Sequence, residues 1–533
     1  PGPCRGGCAR SGLMPLSPVL AFEHRWPRLA ALVWAVLLGL GLSVGLGLPW
    51  PPAAPDAWAA PLPWVQALAW WGLWAWVRQA HSSRAAAGRV WMVASVWLCG
   101  TFWWLWVSMH DMGGIPAVLA ALAVWALAAA LALYYAGAGA LFWLFRHASP
   151  WLQAMVLSAL WALAEWARAT WFTGFPWGAL VYAWVDVWGP WAAWLGAQGL
   201  GVLVLAWLSW VGVYVSLRAW RAAGLTALLG VCLAYLPLPT HTQATGDFKV
   251  ALLQGGVEQV NKFDPEVGIP QALAWYNAAM HKAADMGADW AVAPETAIPI
   301  LPEQTPPALW AGWQALSRDK GLAMLVGQPL GSEVHGYTNS VLGWTPESQD
   351  FYRYDKHHLV PFGEFIPPFF HWFVKAMGMP LDSFDRGPLG QSPLVWQGQR
   401  VSPNICYEDV FGDEMAASFA QPAQAPTWLA NVSNIAWFGR TVALDQHLLH
   451  ARMRALEFER PMVRATNTGP TVAIDHVGQV RASLPRHEAG VLLAEVQGRE
   501  GLTPYARWAA HWGAWPVVLI CLALWVWARL RIK

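Results

Sequence analysis

The chain has 533 residues and a formal net charge of +1; 56% of it is hydrophobic, 12% is charged and 42 residues are tryptophan. A soluble domain would carry about twice that charged fraction, and a near-neutral chain offers no footprint for nucleic acid or another acidic polymer. Several apolar runs reach the roughly 20 residues a bilayer crossing needs, and tryptophan favours bilayer interfaces, so a soluble protein with a generous core is excluded.

Residues 1–13 precede the first methionine, Met14, and are read as an expression remnant or an extended reading frame, so Cys4 and Cys8 carry no weight. Residues 1–27 form an N-terminal segment. Eight apolar segments then read as spans: Leu29–Leu48, Leu62–Arg78, Val90–His110, Ala117–Phe145, Trp151–Trp171, Pro190–Leu217, Gly224–Pro239 and Trp512–Trp527. Seven of them fill a transmembrane domain over residues 28–240, and the eighth lies in a final helix at 506–528, before a tail at 529–533. No separate cleavable signal peptide is evident, and the first span acts as an uncleaved anchor.

The flanking charges set the orientation. Arg25 and Arg28 precede the first span, Arg78, Arg84 and Arg89 follow the second, and Arg146, Arg218 and Arg221 follow later ones. The tail ends in Arg529, Arg531 and Lys533, whereas the connections at 49–61 and 111–116 contain no Lys or Arg. The positive-inside rule places both termini in the cytoplasm and the large domain before the last span outside. Arg168 is the exception, with Glu165 within one turn as its expected partner.

Charge returns between residues 246 and 500. Lys249–Gln254, Trp290–Ala293, Ala323–Gly327 and Trp428–Val432 read as short, continuously apolar strands covered on both faces, and Val401–Ile405 as a further strand. Ile269–Met286, Pro307–Lys320 and His447–Phe458 carry apolar residues at helical spacing. The alternation predicts an α/β domain of about 250 residues with its own core.

Cys406 is the only cysteine between Thr245 and Tyr505, so it has no intradomain disulfide partner. A lone cysteine is more often a small buried hydrophobe, but Cys406 follows a strand and is flanked by polar and acidic residues. Glu295 and the Asn431–Ser433–Asn434 group also follow strands, and ligand chemistry collects at the carboxyl ends of strands in α/β sheets. A thiol nucleophile needs a base and a donor for the oxyanion. His335, His357, His358 and His447 are available as bases, and no feature of the sequence ties one of them to Cys406. A Glu-Lys-Cys arrangement is the alternative. His357–His358 lacks a signalled third ligand, so no metal or other cofactor is expected.

Three segments decide between these arrangements: Pro294-Glu295-Thr296-Ala297, Tyr354-Asp355-Lys356-His357-His358-Leu359-Val360-Pro361-Phe362-Gly363-Glu364 and Asn404-Ile405-Cys406-Tyr407-Glu408. They resemble the catalytic segments of the nitrilase superfamily, and in wording its membrane branch, the apolipoprotein N-acyltransferases. Phe172–Trp177, Ala436–Gly439, Ala451–Glu457 and Arg464–Gly469 resemble further blocks of that branch. One departure is Ile435, where the family pattern has Asp.

The resemblance implies a polytopic helical membrane protein with an extracytoplasmic nitrilase-like α-β-β-α sandwich between its last two spans, in a bacterial inner membrane. It implies that Glu295 is the general base, Lys356 the oxyanion donor and Cys406 the acyl carrier. Glu364 positions Lys356 or the amine, Glu408 orients the site, and Tyr407 supports it or only packs. The donor is a phospholipid, phosphatidylethanolamine, and the acceptor is the α-amino group of a diacylglyceryl-modified lipoprotein cysteine. Phe263 matches an aromatic residue of the acyl pocket. Trp437 and Phe438 are also expected near the substrate, and Phe369 and Phe370 on a lid or membrane-dipping arm. A membrane-anchored amidase with water as acceptor uses the same triad. A polytopic transporter predicts charge at mid-membrane, which the spans almost lack.

Overall fold

The computed structural model describes residues 27–47, 59–367 and 383–532. Its first half is a helical bundle: α1 Pro27–Val44, α2 Pro63–Arg78, α3 Ser83–Phe102, α4 Ala117–Phe142, α5 Pro150–Thr170, α6 Ala192–Ser216 and α7 Trp220–Ala234. Local chemistry starts several of them. Ser82 and Ser149 accept first-turn N–H groups, and Pro63 and Pro150 occupy first-turn positions where no hydrogen bond is lost. Small residues then bring helices together: a Cβ on Gly139 would lie 2.7 Å from Val90 Cγ2, so α3 and α4 cross at glycine distance. Two buried indoles bind across the bundle. Trp70 donates to Ser209 at 2.8 Å and Trp184 to Gln66 at 2.7 Å.

The expected count of eight spans is not confirmed among the described residues. Among the described residues three helices are long and apolar enough to cross a membrane, Ser83–Phe102, Ala117–Phe145 and Leu180–Ser216, or four if a bent pair near the C-terminus is one span. Others fall short because they run only 16 to 18 residues, as α2 and α1 do, or because polar residues interrupt them, as Glu165 and Arg168 do in α5. The bent pair is α11 Pro504–Trp512 and α12 Trp515–Arg531, which meet at 86° around Gly513. The expected pairing of Arg168 with Glu165 is also replaced. Arg168 donates to Tyr135 Oη at 2.9 Å and to the Phe175 and Trp177 carbonyls, while Glu165 accepts the Leu180 N–H at 3.1 Å.

From Gln243 to Glu500 the chain builds two six-stranded sheets. The site depends on β1 Gln243–Gln254, β2 Trp290–Val292, β4 Gly336–Trp344, β5 Tyr352–Asp355, β7 Gln399–Ile405, β8 Trp428–Ser433 and β9 Met462–Thr466. The other strands are β3 Ala323–Ser332, β6 Leu394–Trp396, β10 Val472–Ile474, β11 Val480–Ser483 and β12 Gly490–Glu500. The first sheet has the order β12-β1-β2-β3-β4-β5 and the second β11-β10-β9-β8-β7-β6. β1 pairs parallel with β2, as β7 does with β8 and β8 with β9. Val250, Leu252, Trp290 and Leu325 of one sheet pack on Val401, Trp428, Val432 and Val463 of the other. Helices α8 Gly268–Asp285 and α9 Pro307–Lys320 cover the first sheet, and α10 Ala443–Phe458 and α11 cover the second. The result is the four-layer α-β-β-α arrangement, and the central strands β2, β8 and β9 are buried along their whole length because both sides are covered.

The helical bundle and the sandwich share one core. Tyr407, Val410, Phe411, Leu449 and Met453 join Trp104, Trp177, Tyr182 and Trp184 in a single apolar cluster. Gln446 of α10 accepts both the Trp104 indole at 3.0 Å and the Trp177 indole at 2.8 Å. Gly196 adopts φ +64°, which restarts α6 at Ala197, and the freed Ala197 N–H is accepted by Glu457 of α10 at 2.6 Å.

Candidate active site

Four chain segments converge where strands end. Glu295 follows β2, Lys356 follows β5, Cys406 follows β7 and Asn434 follows β8. The parallel pairing of β7 with β8 puts Cys406 and Asn434 at one sheet edge, and the face-to-face packing brings Glu295 from the other sheet.

The carboxylates and the lysine form a closed set. Lys356 is 1% exposed, Glu295 7% and Glu364 8%, so none of the three charges is solvated enough to stand alone. Lys356 Nζ lies 3.4 Å from Glu295 Oε1 and 2.8 Å from Glu364 Oε1. The Asn339 amide, from the middle of β4, donates to both of these oxygens at 2.7 Å. Glu295 Oε2 accepts the Asn434 N–H at 2.7 Å, and Glu364 Oε2 accepts the Val360 N–H at 2.8 Å. Every oxygen of the two carboxylates is therefore aimed.

Cys406 sits at φ +53°, a left-handed conformation that a side-chain-bearing residue takes only when its surroundings enforce it. The enforcement is visible. Glu408 Oε2 accepts the Ile405 N–H at 2.6 Å and the Tyr354 hydroxyl at 2.9 Å, and Glu408 Oε1 accepts the His357 N–H at 2.7 Å. The Cys406 carbonyl accepts from Asn431 Nδ2 at 3.1 Å and His447 Nε2 at 3.2 Å. Arg464 donates to His447 Nδ1 at 2.9 Å, so the neutral ring carries its proton on Nε2 and shares it between Asp409, at 2.7 Å, and that carbonyl. His447 thus holds the backbone of Cys406, and its ring is committed away from the thiol. His357 and His358 bind the Gly387 carbonyl and Glu414 through Nδ1. A histidine base is therefore disfavoured.

The electrostatics follow from burial and these partners. Burial pushes the Cys406 thiol up to about 12, and the Glu295 charge adds to this while Lys356 opposes it. Burial alone would raise the Glu295 carboxyl, but Lys356, the Asn339 amide and the Asn434 N–H hold it below the usual carboxylate range. Burial alone would lower Lys356, but Glu364 and Glu295 hold it above the usual ammonium range. The resting centre is a neutral thiol beside an ionised base and a permanent cation. Such a set can take a proton from sulfur as sulfur attacks a carbonyl and can neutralise the oxyanion that forms.

Tyr407 is buried and stacks on Trp177, with its hydroxyl 3.4 Å from the Gly174 carbonyl, so it faces the helical bundle and not the thiol. Phe263 is 52% exposed, one residue beyond the buried Lys262. Trp437 is 42% exposed, while Phe438 packs edge-on against Trp104 at 4.4 Å. Ile435 is fully buried. Phe369 and Phe370 lie outside the described residues. Asn339 and Lys262 were not anticipated. The signal for Asn339 was a polar Thr338-Asn339-Ser340 run inside an otherwise buried strand, where each polar side chain demands a partner.

Glu408 accepts four hydrogen bonds within one loop crossing, from Ile405, Tyr354, His357 and His358. Glu408→Gln turns an NH2 group toward N–H and O–H donors and is expected to cost about 2–4 kcal/mol. The check is a lowered unfolding midpoint together with reduced turnover. A melt within 1 °C of wild type would refute the role.

Two family descriptions match the chain: apolipoprotein N-acyltransferase N-terminal domain over residues 43–207 and carbon-nitrogen hydrolase over residues 249–505. The chain is 47% identical over 446 residues to the apolipoprotein N-acyltransferase of Verminephrobacter eiseniae, covering 79% of this chain and 82% of that protein. It is 44% identical over 443 residues to that of Ralstonia nicotianae, covering 81% and 83%. It is 41% identical over 471 residues to that of Bordetella bronchiseptica, covering 80% and 85%.

Proposed function

Because the chain belongs to the apolipoprotein N-acyltransferase family, we propose that Cys406 is its acyl carrier, Glu295 its base and Lys356 its oxyanion donor. The chain is an N-acyltransferase with a nitrilase-like domain, and its substrates are a phospholipid and a lipoprotein. In the first half-reaction the Cys406 proton moves to Glu295 as Sγ attacks the ester carbonyl. Lys356 faces the oxyanion, and the leaving alkoxide takes the proton back from Glu295, giving a lysophospholipid and a thioester. In the second half an amine attacks the thioester, an N–C bond forms as the S–C bond breaks, and a proton returns to sulfur through Glu295. Glu364 positions Lys356, and Glu408 orients the cysteine loop.

The observation that carries this reading is the Lys356 ammonium held between two aimed carboxylates beside the strand-end thiol. A thioester suits the task because it is a reactive donor to amines. The donor is phosphatidylethanolamine and the acceptor the α-amino group of a diacylglyceryl-cysteine. The helices carry the catalytic domain on the outer face of the inner membrane with both termini inside, in line with the arginine distribution. On this reading residues 28–240 are the membrane domain, 246–500 the catalytic domain and 506–528 a last span.

Intact-peptide mass spectrometry on the segment around Cys406, after incubation with phosphatidylethanolamine, tests the reading. The expected result is a fatty-acyl increment that hydroxylamine removes and that an added lipopeptide amine discharges into an amide. Lysophospholipid release without an adduct would sink the thioester route. An adduct that only water discharges would favour the membrane-anchored amidase.

A further inference from the structure

Three buried side-chain amides meet behind Glu295: Gln259 from the loop after β1, Asn434 after β8 and Asn467 after β9. A buried amide is costly unless its groups are bonded, and Asn467 uses all four of its polar groups. Its backbone N–H donates to the Ser433 carbonyl at 3.1 Å, and its backbone carbonyl accepts the Gly256 N–H at 2.7 Å. Its side chain accepts the Val257 N–H at 3.0 Å and donates to the Val257 carbonyl at 2.7 Å. The same Nδ2 donates to Asn434 Oδ1 at 3.2 Å, and Asn434 Nδ2 donates to Gln259 Oε1 at 2.8 Å. The Val257 N–H and carbonyl admit only one orientation of the Asn467 amide, and each later amide must follow it. The chain of amides ends on the base. The peptide group between Ser433 and Asn434 gives its carbonyl to Asn467 and its N–H to Glu295 Oε2, at 2.7 Å. Among the described residues that N–H is the one hydrogen-bond donor to Oε2, since Lys356 and the Asn339 amide both bind Oε1. Asn434 is also where β8 turns into Ile435–Phe438, so its side-chain anchors keep this peptide from tilting.

We propose that Gln259 and Asn467 are positioning residues for the base: together they lock Asn434, and through its main-chain N–H they hold Glu295 Oε2 in its working position. The inference rests on Glu295 being the base of the proposed mechanism. Both amides act through Asn434 and not on substrate. The charged groups around Glu295 are Lys356 after β5, Glu364 on the loop beyond it, Lys262 after β1 and Cys406 after β7. Lys262 Nζ meets the Glu295 carbonyl at 3.2 Å and not the carboxylate. Burial pushes the Glu295 carboxyl up, and Lys356, the Asn339 amide and the Asn434 N–H more than reverse this. Loosening that N–H removes one of the bonds that favour the charged form, so the carboxyl rises and loses its aim together.

The first half-reaction gives the test, because no amine takes part in it. Lysophospholipid release in a single turnover is followed across a pH series for the full chain in phosphatidylethanolamine nanodiscs. Release needs an ionised Glu295, so it falls as pH drops through the value of that carboxyl. In Asn434→Ala and Asn467→Ala the fall should begin about one pH unit higher than in wild type, and release at neutral pH should be roughly tenfold slower. Gln259→Met should move the fall in the same direction, and it carries the test if the asparagine variants do not fold. Adding Gln259→Met to Asn434→Ala should move it no further, since the link it cuts is already gone. Slower release with the fall at its wild-type position overturns the proposal, because the amides would then only hold the fold together. A double variant whose shift is the sum of the two single shifts overturns it as well. Failure of the parent reading is separate: Glu295→Gln protein that still releases lysophospholipid would remove the base itself, whatever the amide variants show.

Discussion

Cys406→Ala protein should release no lysophospholipid and acylate no lipopeptide, with a loss on the order of 10^5-fold or more, the scale at which removing a nucleophile abolishes covalent catalysis. The centre keeps its base and its cation, but they have nothing to act on. Cys406→Ser should do little better. Its hydroxyl is far less acidic than a thiol, and the site already pushes even the thiol up to about 12. The fold should survive both changes, because Cys406 is only partly buried and its structural bonds run through its backbone carbonyl. Turnover and the melting midpoint therefore separate cleanly. Residual transfer above about 1% of wild type, from protein that melts normally, would remove Cys406 from the mechanism.

Lys356→Met should damage activity less than loss of the thiol does but, unlike the first change, should damage stability. Removing the oxyanion donor costs roughly 10²–10³-fold. It also leaves Glu295 and Glu364 buried on either side of the Asn339 amide without their common cation. Breaking a buried charge set in this way costs about 3–5 kcal/mol. The sign of the pH dependence should invert. In the wild type, Glu295 sits below the ordinary carboxylate range, so it adds stability above that range and gives it up as pH falls. Without Lys356, burial and the facing Glu364 carboxylate push that carboxyl up instead. The folded variant then binds a proton that the unfolded chain does not, and it loses stability as pH rises from about 5 to 8. Lys356→Met with Glu364→Gln should recover most of the stability and none of the transfer. A double variant that regains turnover, or a single variant whose stability is flat across that pH range, would contradict the account.

Much of the sandwich can be read from one sequence because its signals are local. Helix α9 spans Pro307–Lys320 as expected, since Pro307 opens it and Gly321, at φ +69°, closes it. The strand end that carries Glu295 was also legible, as the apolar run Trp290–Ala293 stopping just before a polar residue. The span count was not. Helices such as α1 and α2 are short, and α5 holds Glu165 and Arg168 against neighbouring loops, so segment-by-segment hydropathy does not decide which of them cross. The partners of Glu295 escaped for a related reason. Asn339 reaches Glu295 from 44 residues away, and Lys262 reaches it from 33. No local pattern encodes a contact made only when strands distant in sequence are assembled into one sheet.

Tyr407 adds one more consequence. The residue after Cys406 is seated on Trp177 and reaches the Gly174 carbonyl, and the indoles of Trp104 and Trp177 both end on Gln446. The catalytic half is therefore not a cassette that can be cut free at Gln243 and worked in water. Severing it would strip one wall from the cysteine loop and leave Tyr407, Phe411 and the face of α10 bare. Exchange of membrane halves between relatives would succeed only when the Phe172–Trp177 loop travels with the sandwich it was fitted to.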